Sequence, residues 1–200
     1  MTMSDPLLKP LLAGDRRALA PVALLAALAS GLGEQGAFSF LPVFAVASGV
    51  SPETGALWLS AFVIGNLVLQ WPIGWMADHF DRRAVLAACA FASAVLAGLM
   101  PLLDPRAGAI LGVLVLWGGI SFGIYTVGLA VLGQRFQGGD IARANAAFTI
   151  FYTLGGLIGR PIAGKAMDLV GGAGFGGTLA VFYAAAAIAA LVAWGRRATP

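Results

Sequence analysis

Charge is scarce in this sequence. Of 200 residues, 10% are Asp, Glu, Lys or Arg, where soluble domains carry about 25%. Hydrophobic residues make up 60%, and the mean hydropathy is +0.89. A chain this apolar cannot hide its surface in one soluble core, and it reads as an integral membrane protein. Histidine and cysteine occur once each, as His79 and Cys89. A single cysteine excludes an intrachain disulfide and a cluster of thiolate metal ligands. No metal or cofactor is expected. The formal net charge of +3 does not point to nucleic acid, because the basic residues share no single run or face. They sit instead at the ends of apolar stretches, which is a topology signal.

What is present is a set of long apolar runs. A spanning helix needs about 20 mainly apolar residues. Six stretches qualify, at 18–47, 55–77, 84–103, 107–132, 144–167 and 173–194. The expected class is therefore an all-α bundle of six transmembrane helices over 18–195, with terminal segments at 1–17 and 196–200. Lys9, Arg16 and Arg17 precede the first span, Arg82 and Arg83 lie in the second linker, Arg135 and Arg143 in the fourth, and Arg196 and Arg197 follow the last span. Cytoplasmic loops retain Lys and Arg. Both termini and the even linkers are expected inside, at the inner membrane in a bacterium. Trp71, Trp75 and Trp194 fall near expected inner boundaries and Trp58 near an outer one, where amphipathic rings anchor helices. The N-terminal region imitates a signal peptide, but apolar residues continue past Gly31 to Ala47 and five further spans follow.

The linker between the second and third spans reads Gly74-Trp75-Met76-Ala77-Asp78-His79-Phe80-Asp81-Arg82-Arg83. It resembles the signature loop of the major facilitator superfamily, roughly Gly-x-Leu-Ala-Asp-x-x-Gly-Arg-Arg, with Asp81 standing where that family usually has glycine. In this reading Gly74 lets helices approach closely, and Asp78 accepts helix N-terminal N–H groups or pairs with an arginine. Arg82 and Arg83 would hold the loop at the anionic leaflet. A second stretch, Gly155-Gly156-Leu157-Ile158-Gly159-Arg160-Pro161-Ile162-Ala163-Gly164, is similar to the glycine-proline helix motif of these transporters. Gly155, Gly159, Pro161 and Gly164 would be its packing positions. Arg143-Ala144-Asn145-Ala146-Ala147 before it looks like the start of the eleventh helix of a full-length member. These features together resemble the C-terminal six-helix half, with residues 1–17 matching part of the central cytoplasmic loop. The resemblance implies transport of a small solute by alternating access, powered by a gradient. It also implies a missing half, supplied by a homodimer or a complementary six-helix chain. The rival expectation is a transport-incompetent bundle acting as an interaction or regulatory subunit.

Glu34 is the sharpest single candidate. It falls near the middle of the first span with Gln35 beside it, and an ionisable group at that depth is expensive and by default functional. It can bind and release a proton during transport, or make a structural polar contact. Arg160 lies in the fifth span, and its depth differs from that of Glu34 by about 3–5 Å at the helical rise. Three roles stay open for it: pairing with Glu34, binding an anionic substrate, or snorkelling outward with Lys165. Asn66, Gln70, Tyr125, Thr126, Asn145, Tyr152 and Thr153 are uncharged polar residues in or near spans. Asn66 and Tyr125 are the pore-side choices among them.

Other matches do not carry chemistry. Gly31-Leu32-Gly33-Glu34-Gln35-Gly36 fits the dinucleotide fingerprint literally, but that reading needs a preceding strand in a βαβ unit. Gly119-Ile120-Ser121-Phe122-Gly123 fits a nucleophile pattern, yet Ser121 needs a base and the single histidine, His79, belongs to a loop. No enzyme activity is expected. The cluster of Gly171, Gly172, Gly174, Gly176 and Gly177 reads as a flexible outer turn.

Overall fold

An apolar stretch in a bilayer has no water to satisfy its backbone, so it closes its hydrogen bonds within itself as a helix. The computed structural model describes residues 19–134, 136 and 138–195. The segments 1–17 and 196–200, with their basic residues, and Arg135 lie outside the described residues. Six long helices follow one another: α1 (Leu19–Ala47), α2 (Pro52–His79), α3 (Arg82–Leu99), α4 (Ala109–Gly133), α5 (Gly139–Val170) and α6 (Gly172–Gly195). All six are long and apolar enough to cross a membrane. A short 3₁₀ turn, Met100–Leu102, follows α3. Among the described residues there is no strand.

The helix ends show why the expected boundaries shift. Ser51 caps α2, its hydroxyl accepting from the Thr54 amide at 3.3 Å ahead of Pro52 in the first turn. α5 begins at Gly139, upstream of the apolar run, because Asp140 sits in its first turn and pairs with Arg143 at 3.5 Å. Arg143 is thus a helix residue and not part of a linker. The glycine cluster is not a flexible turn either. Gly171 alone makes the turn, with φ +66°, and α6 starts at the next residue. A Cβ at Gly174 would overlap the Ala166 backbone, and one at Gly176 would overlap the Ala97 carbonyl. These glycines let α6 lie tightly against α5 and α3.

The most extensive packing is not between sequence neighbours. α1 packs most extensively on α5, α2 on α4, and α3 on α6, while α2–α3 and α4–α5 touch little. Exchanging α1–α3 for α4–α6 maps these three main pairings onto themselves. The tight crossings are made by glycine, as membrane bundles favour. Gly65 and Gly118 bring α2 and α4 together against the Val115 and Phe62 carbonyls. Gly31 and Gly155 do the same for α1 and α5, against the Tyr152 and Leu28 carbonyls. The aromatic core gathers Trp58, Phe62, Trp117 and Phe175. Trp58 is 1% exposed and packs its ring against Phe44 at 5.9 Å in a tilted arrangement, so it is a core residue and not the interfacial anchor expected of it. Trp71 remains 80% exposed.

The charged loop ties three helix ends together. Arg82 donates from Nε to the Ala77 carbonyl at 3.0 Å, from one terminal nitrogen to the Ala130 carbonyl at 3.1 Å, and from the other to Asp78 at 3.2 Å. Arg83 donates to the Ala193 carbonyl at 2.7 Å. The C-terminal ends of α2, α4 and α6 therefore meet at one face of the bundle, each with a guanidinium at its negative dipole end. Arg83 is buried, and both arginines bond to helix-end carbonyls. Gly74 is not a close-approach site, since a Cβ there meets nothing within 4 Å. Asp81 caps α3, its carboxylate accepting from the Arg83 amide at 2.9 Å. It does so with φ −60°, so the turn does not require glycine.

Candidate transport cleft

Glu34 sits on α1 among glycines, and that setting explains its burial. Gly31 admits the α5 backbone at Tyr152, and Gly33 admits the Tyr183 hydroxyl of α6. The helices close around the carboxyl, which is left 4% exposed. The Tyr152 hydroxyl donates to Glu34 Oε2 at 2.8 Å. Glu34 Oε1 is buried and has no hydrogen-bond partner among the described residues.

This carboxyl is at the edge of an open cleft of about 370 Å³, lined by Glu34, Asn66, Gln70, Phe122, Tyr125, Thr126 and Tyr152. Four helices contribute: α1, α2, α4 and α5. On α2, Gln70 donates to Asn66 Oδ1 at 2.7 Å, the two being one turn apart. Across to α4, Thr126 donates to Gln70 Oε1 at 2.9 Å. Tyr125 is fixed by edge-to-face contacts with Phe148 at 5.1 Å and Tyr152 at 5.2 Å. The wall thus offers amide and hydroxyl groups, aromatic rings and one carboxyl. Among the described residues, no Lys or Arg lines it. Such a surface can hydrogen-bond a small polar solute and hold an exchangeable proton. Another depression of about 350 Å³, lined by Ile162, Val170, Val181 and Phe182 among others, has no ionisable group among the described residues.

Of the sequence candidates, Glu34, Asn66 and Tyr125 meet in this cleft. Gln35 does not line it; its side chain lies in the α1–α5 contact, against Gly156. Arg160 does not line it either. It is exposed, its Nε donates to the Gly156 carbonyl at 2.8 Å, and it makes no ion pair with Glu34. Gly155, Gly159 and Gly164 all face α1, at Leu28, Leu32 and Phe40. Pro161 lies inside α5. Gln70, Thr126 and Tyr152, named from the sequence only as polar residues in or near spans, also line the cleft, and Phe122 is the lining residue that sequence reasoning left out. Spacing carried a signal for Gln70, Phe122 and Thr126. Gln70 follows Asn66 by one turn, and Phe122 and Thr126 bracket Tyr125 on one helical face. Ser121, the serine of the apparent nucleophile pattern, is buried and hydrogen-bonded to the Tyr183 hydroxyl of α6. His79, expected in a loop, is the last residue of α2 and stacks on Trp75 one turn back at 4.4 Å.

Comparison with known proteins places this architecture. The chain is similar to an uncharacterized MFS-type transporter of Enterobacter sp. (strain 638), 28% identical over 131 residues covering 66% of this chain and 33% of the relative. It is similar to the uncharacterized MFS-type transporter YcaD of Escherichia coli, 29% identical with the same coverage. Among solved structures, the E. coli fucose:proton symporter FucP superposes with a TM-score of 0.73 at 20% identity, covering 96% of this chain and 48% of FucP. The chain spans about a third of the length of these curated relatives and about half of FucP. The profile of the Major Facilitator Superfamily matches residues 23–200, from the first turns of α1 past the end of α6. The six-helix pairing, the charged loop and that match agree: the chain belongs to the Major Facilitator Superfamily.

Proposed function

We propose that the chain is one six-helix unit of a secondary transporter that carries a small solute by alternating access, with Glu34 taking up and releasing a proton. A second six-helix unit, a copy of this chain or a complementary half, closes the cleft from the opposite side. The observation that carries this reading is the cleft itself. It is polar, open along one side and built from four helices, with one buried carboxyl whose Oε1 has no partner among the described residues. A carboxyl at that depth is expensive to keep, and proton exchange accounts for it. Arg160, outside the cleft, gives no support to an anionic solute. FucP is a fucose:proton symporter by name. At 20% identity that likeness carries the fold, and the proton coupling proposed here rests on Glu34.

Orientation follows from the basic linkers. The positive-inside rule places the face holding Arg82 and Arg83 in the cytoplasm, with both termini. Rocking of the two units about the midplane then exposes the cleft to each side in turn.

The test uses the protein reconstituted in liposomes that enclose a pH-sensitive dye. Solutes are offered one at a time under an imposed pH gradient. The reading expects a solute that moves protons with the wild-type chain and not with Glu34→Gln. Gradient-driven transport that is unchanged in Glu34→Gln over a wide pH range would sink proton coupling. Absence of any solute flux would favour an interaction subunit.

A further inference from the structure

We propose that Tyr152 is the positioning residue for the Glu34 carboxyl, linking its protonation to the aromatic wall of the cleft. This rests on the reading that Glu34 exchanges a proton. The geometry is fixed from the backbone outward. A Cβ at Gly31 would overlap the Tyr152 carbonyl, so α1 and α5 touch backbone to backbone about one turn before Glu34. The Tyr152 backbone therefore lies directly against α1, and its stiff phenol reaches Glu34 Oε2 at 2.8 Å. The same ring stands at 81° to Tyr125, with centroids 5.2 Å apart, inside the cleft wall. One side chain therefore touches both the carboxyl and the surface a solute meets.

The hydroxyl has a definite electrostatic effect. A phenol donor on a carboxylate favours the charged form, and the bond loses its charge assistance when the carboxyl protonates. Protonation of Glu34 loosens Tyr152, and with it the packing of Tyr125. Among the described residues Tyr152 supplies the one hydrogen bond to the Glu34 carboxyl, while Gln35, next to Glu34 on α1, also acts on the Tyr152 hydroxyl. α4 brings Tyr125 to the same cleft. α6 brings Tyr183, whose hydroxyl lies beside Gly33 and pairs with Ser121. α2 brings only the amides of Asn66 and Gln70. Arg160 on α5 is bonded to the Gly156 carbonyl.

The experiment titrates Glu34 directly in the full chain in lipid nanodiscs. Dicyclohexylcarbodiimide adds to protonated buried carboxyls, and mass spectrometry of the peptide carrying Glu34 gives the labelled fraction against pH. Glu34→Gln provides the blank. The wild type is expected to lose labelling as pH rises. In Tyr152→Phe, which keeps the ring, the half-labelling pH is expected to move up by about one to two units. Tyr125→Phe, lining the same cleft without a bond to Glu34, is expected to leave it in place. Should Tyr152→Phe fail to fold, 3-fluorotyrosine at position 152 is a stronger donor of nearly the same shape and is expected to move the half-labelling pH down. An unmoved profile in the Tyr152 variants overturns the positioning role while leaving proton exchange intact. A wild-type Glu34 that labels at no pH overturns proton exchange itself, and this role with it.

Discussion

The guanidinium of Arg83 donates a 2.7 Å hydrogen bond to the Ala193 carbonyl, joining the start of α3 to the last turn of α6. The bond is buried, and it meets the negative end of a helix dipole. Arg83→Ala removes a charged donor and leaves that carbonyl without it. The expected cost is about 1.5–3 kcal/mol, read as a lower unfolding midpoint in detergent. Arg83→Lys recovers part of the loss, because an ammonium lacks the planar fork. Arg106→Ala, at an exposed loop position, is the control and is expected to stay within about 0.5 kcal/mol. Equal midpoints for Arg83→Ala and Arg106→Ala would contradict the fastening role of the loop.

The α1–α5 crossing makes a second expectation. At Gly155 a Cβ would overlap the Leu28 carbonyl, and backbone cannot step aside as a side chain can. Gly155→Ala is expected to force the two helices apart, at a cost of about 1–3 kcal/mol. At Gly74 a Cβ meets nothing within 4 Å, so Gly74→Ala is expected to be near neutral. Thermal unfolding of both variants in the same detergent checks the contrast. A greater loss at Gly74 than at Gly155 would refute the assignment of packing positions.

The sequence carried the helices and half of the cleft. Apolar length located all six spans, because a bilayer forces each such run into a helix. Boundaries slipped where something other than hydropathy governs. Asp140 and Arg143 extend α5 into a polar turn, and Gly174 and Gly176 look like loop residues until their neighbours are known. Glu34 stood out because charge at mid-span is rare. Tyr152 did not, since its importance lies in a contact 118 residues away. Arg160 was expected to have a role from depth alone, and depth does not say which way a side chain turns. Trp58 misled for the same reason: its position along the helix suited an interface, while its face belongs to the core.

Closure of the cleft by a second six-helix unit predicts an assembly larger than the chain. Native mass spectrometry of the protein taken from its own membrane into nanodiscs is expected to give twice the chain mass, or the chain with a complementary half. The α2 surface next to the cleft, with Leu67 81% and Trp71 80% exposed, is where such a unit would bear. A species of 20.4 kDa alone would mean that the cleft has no opposite wall.

Alternating access of the cleft is the central claim, and cysteine accessibility measures it most directly. Cys89 is the one native cysteine and is buried, so Cys89→Ser gives a silent background. Asn66→Cys then places a thiol in the cleft. Sealed right-side-out and inverted vesicles are treated with a membrane-impermeant maleimide. The account predicts labelling of position 66 in both preparations, each of which excludes the reagent from its lumen. Labelling from one side only, or from neither, would contradict it.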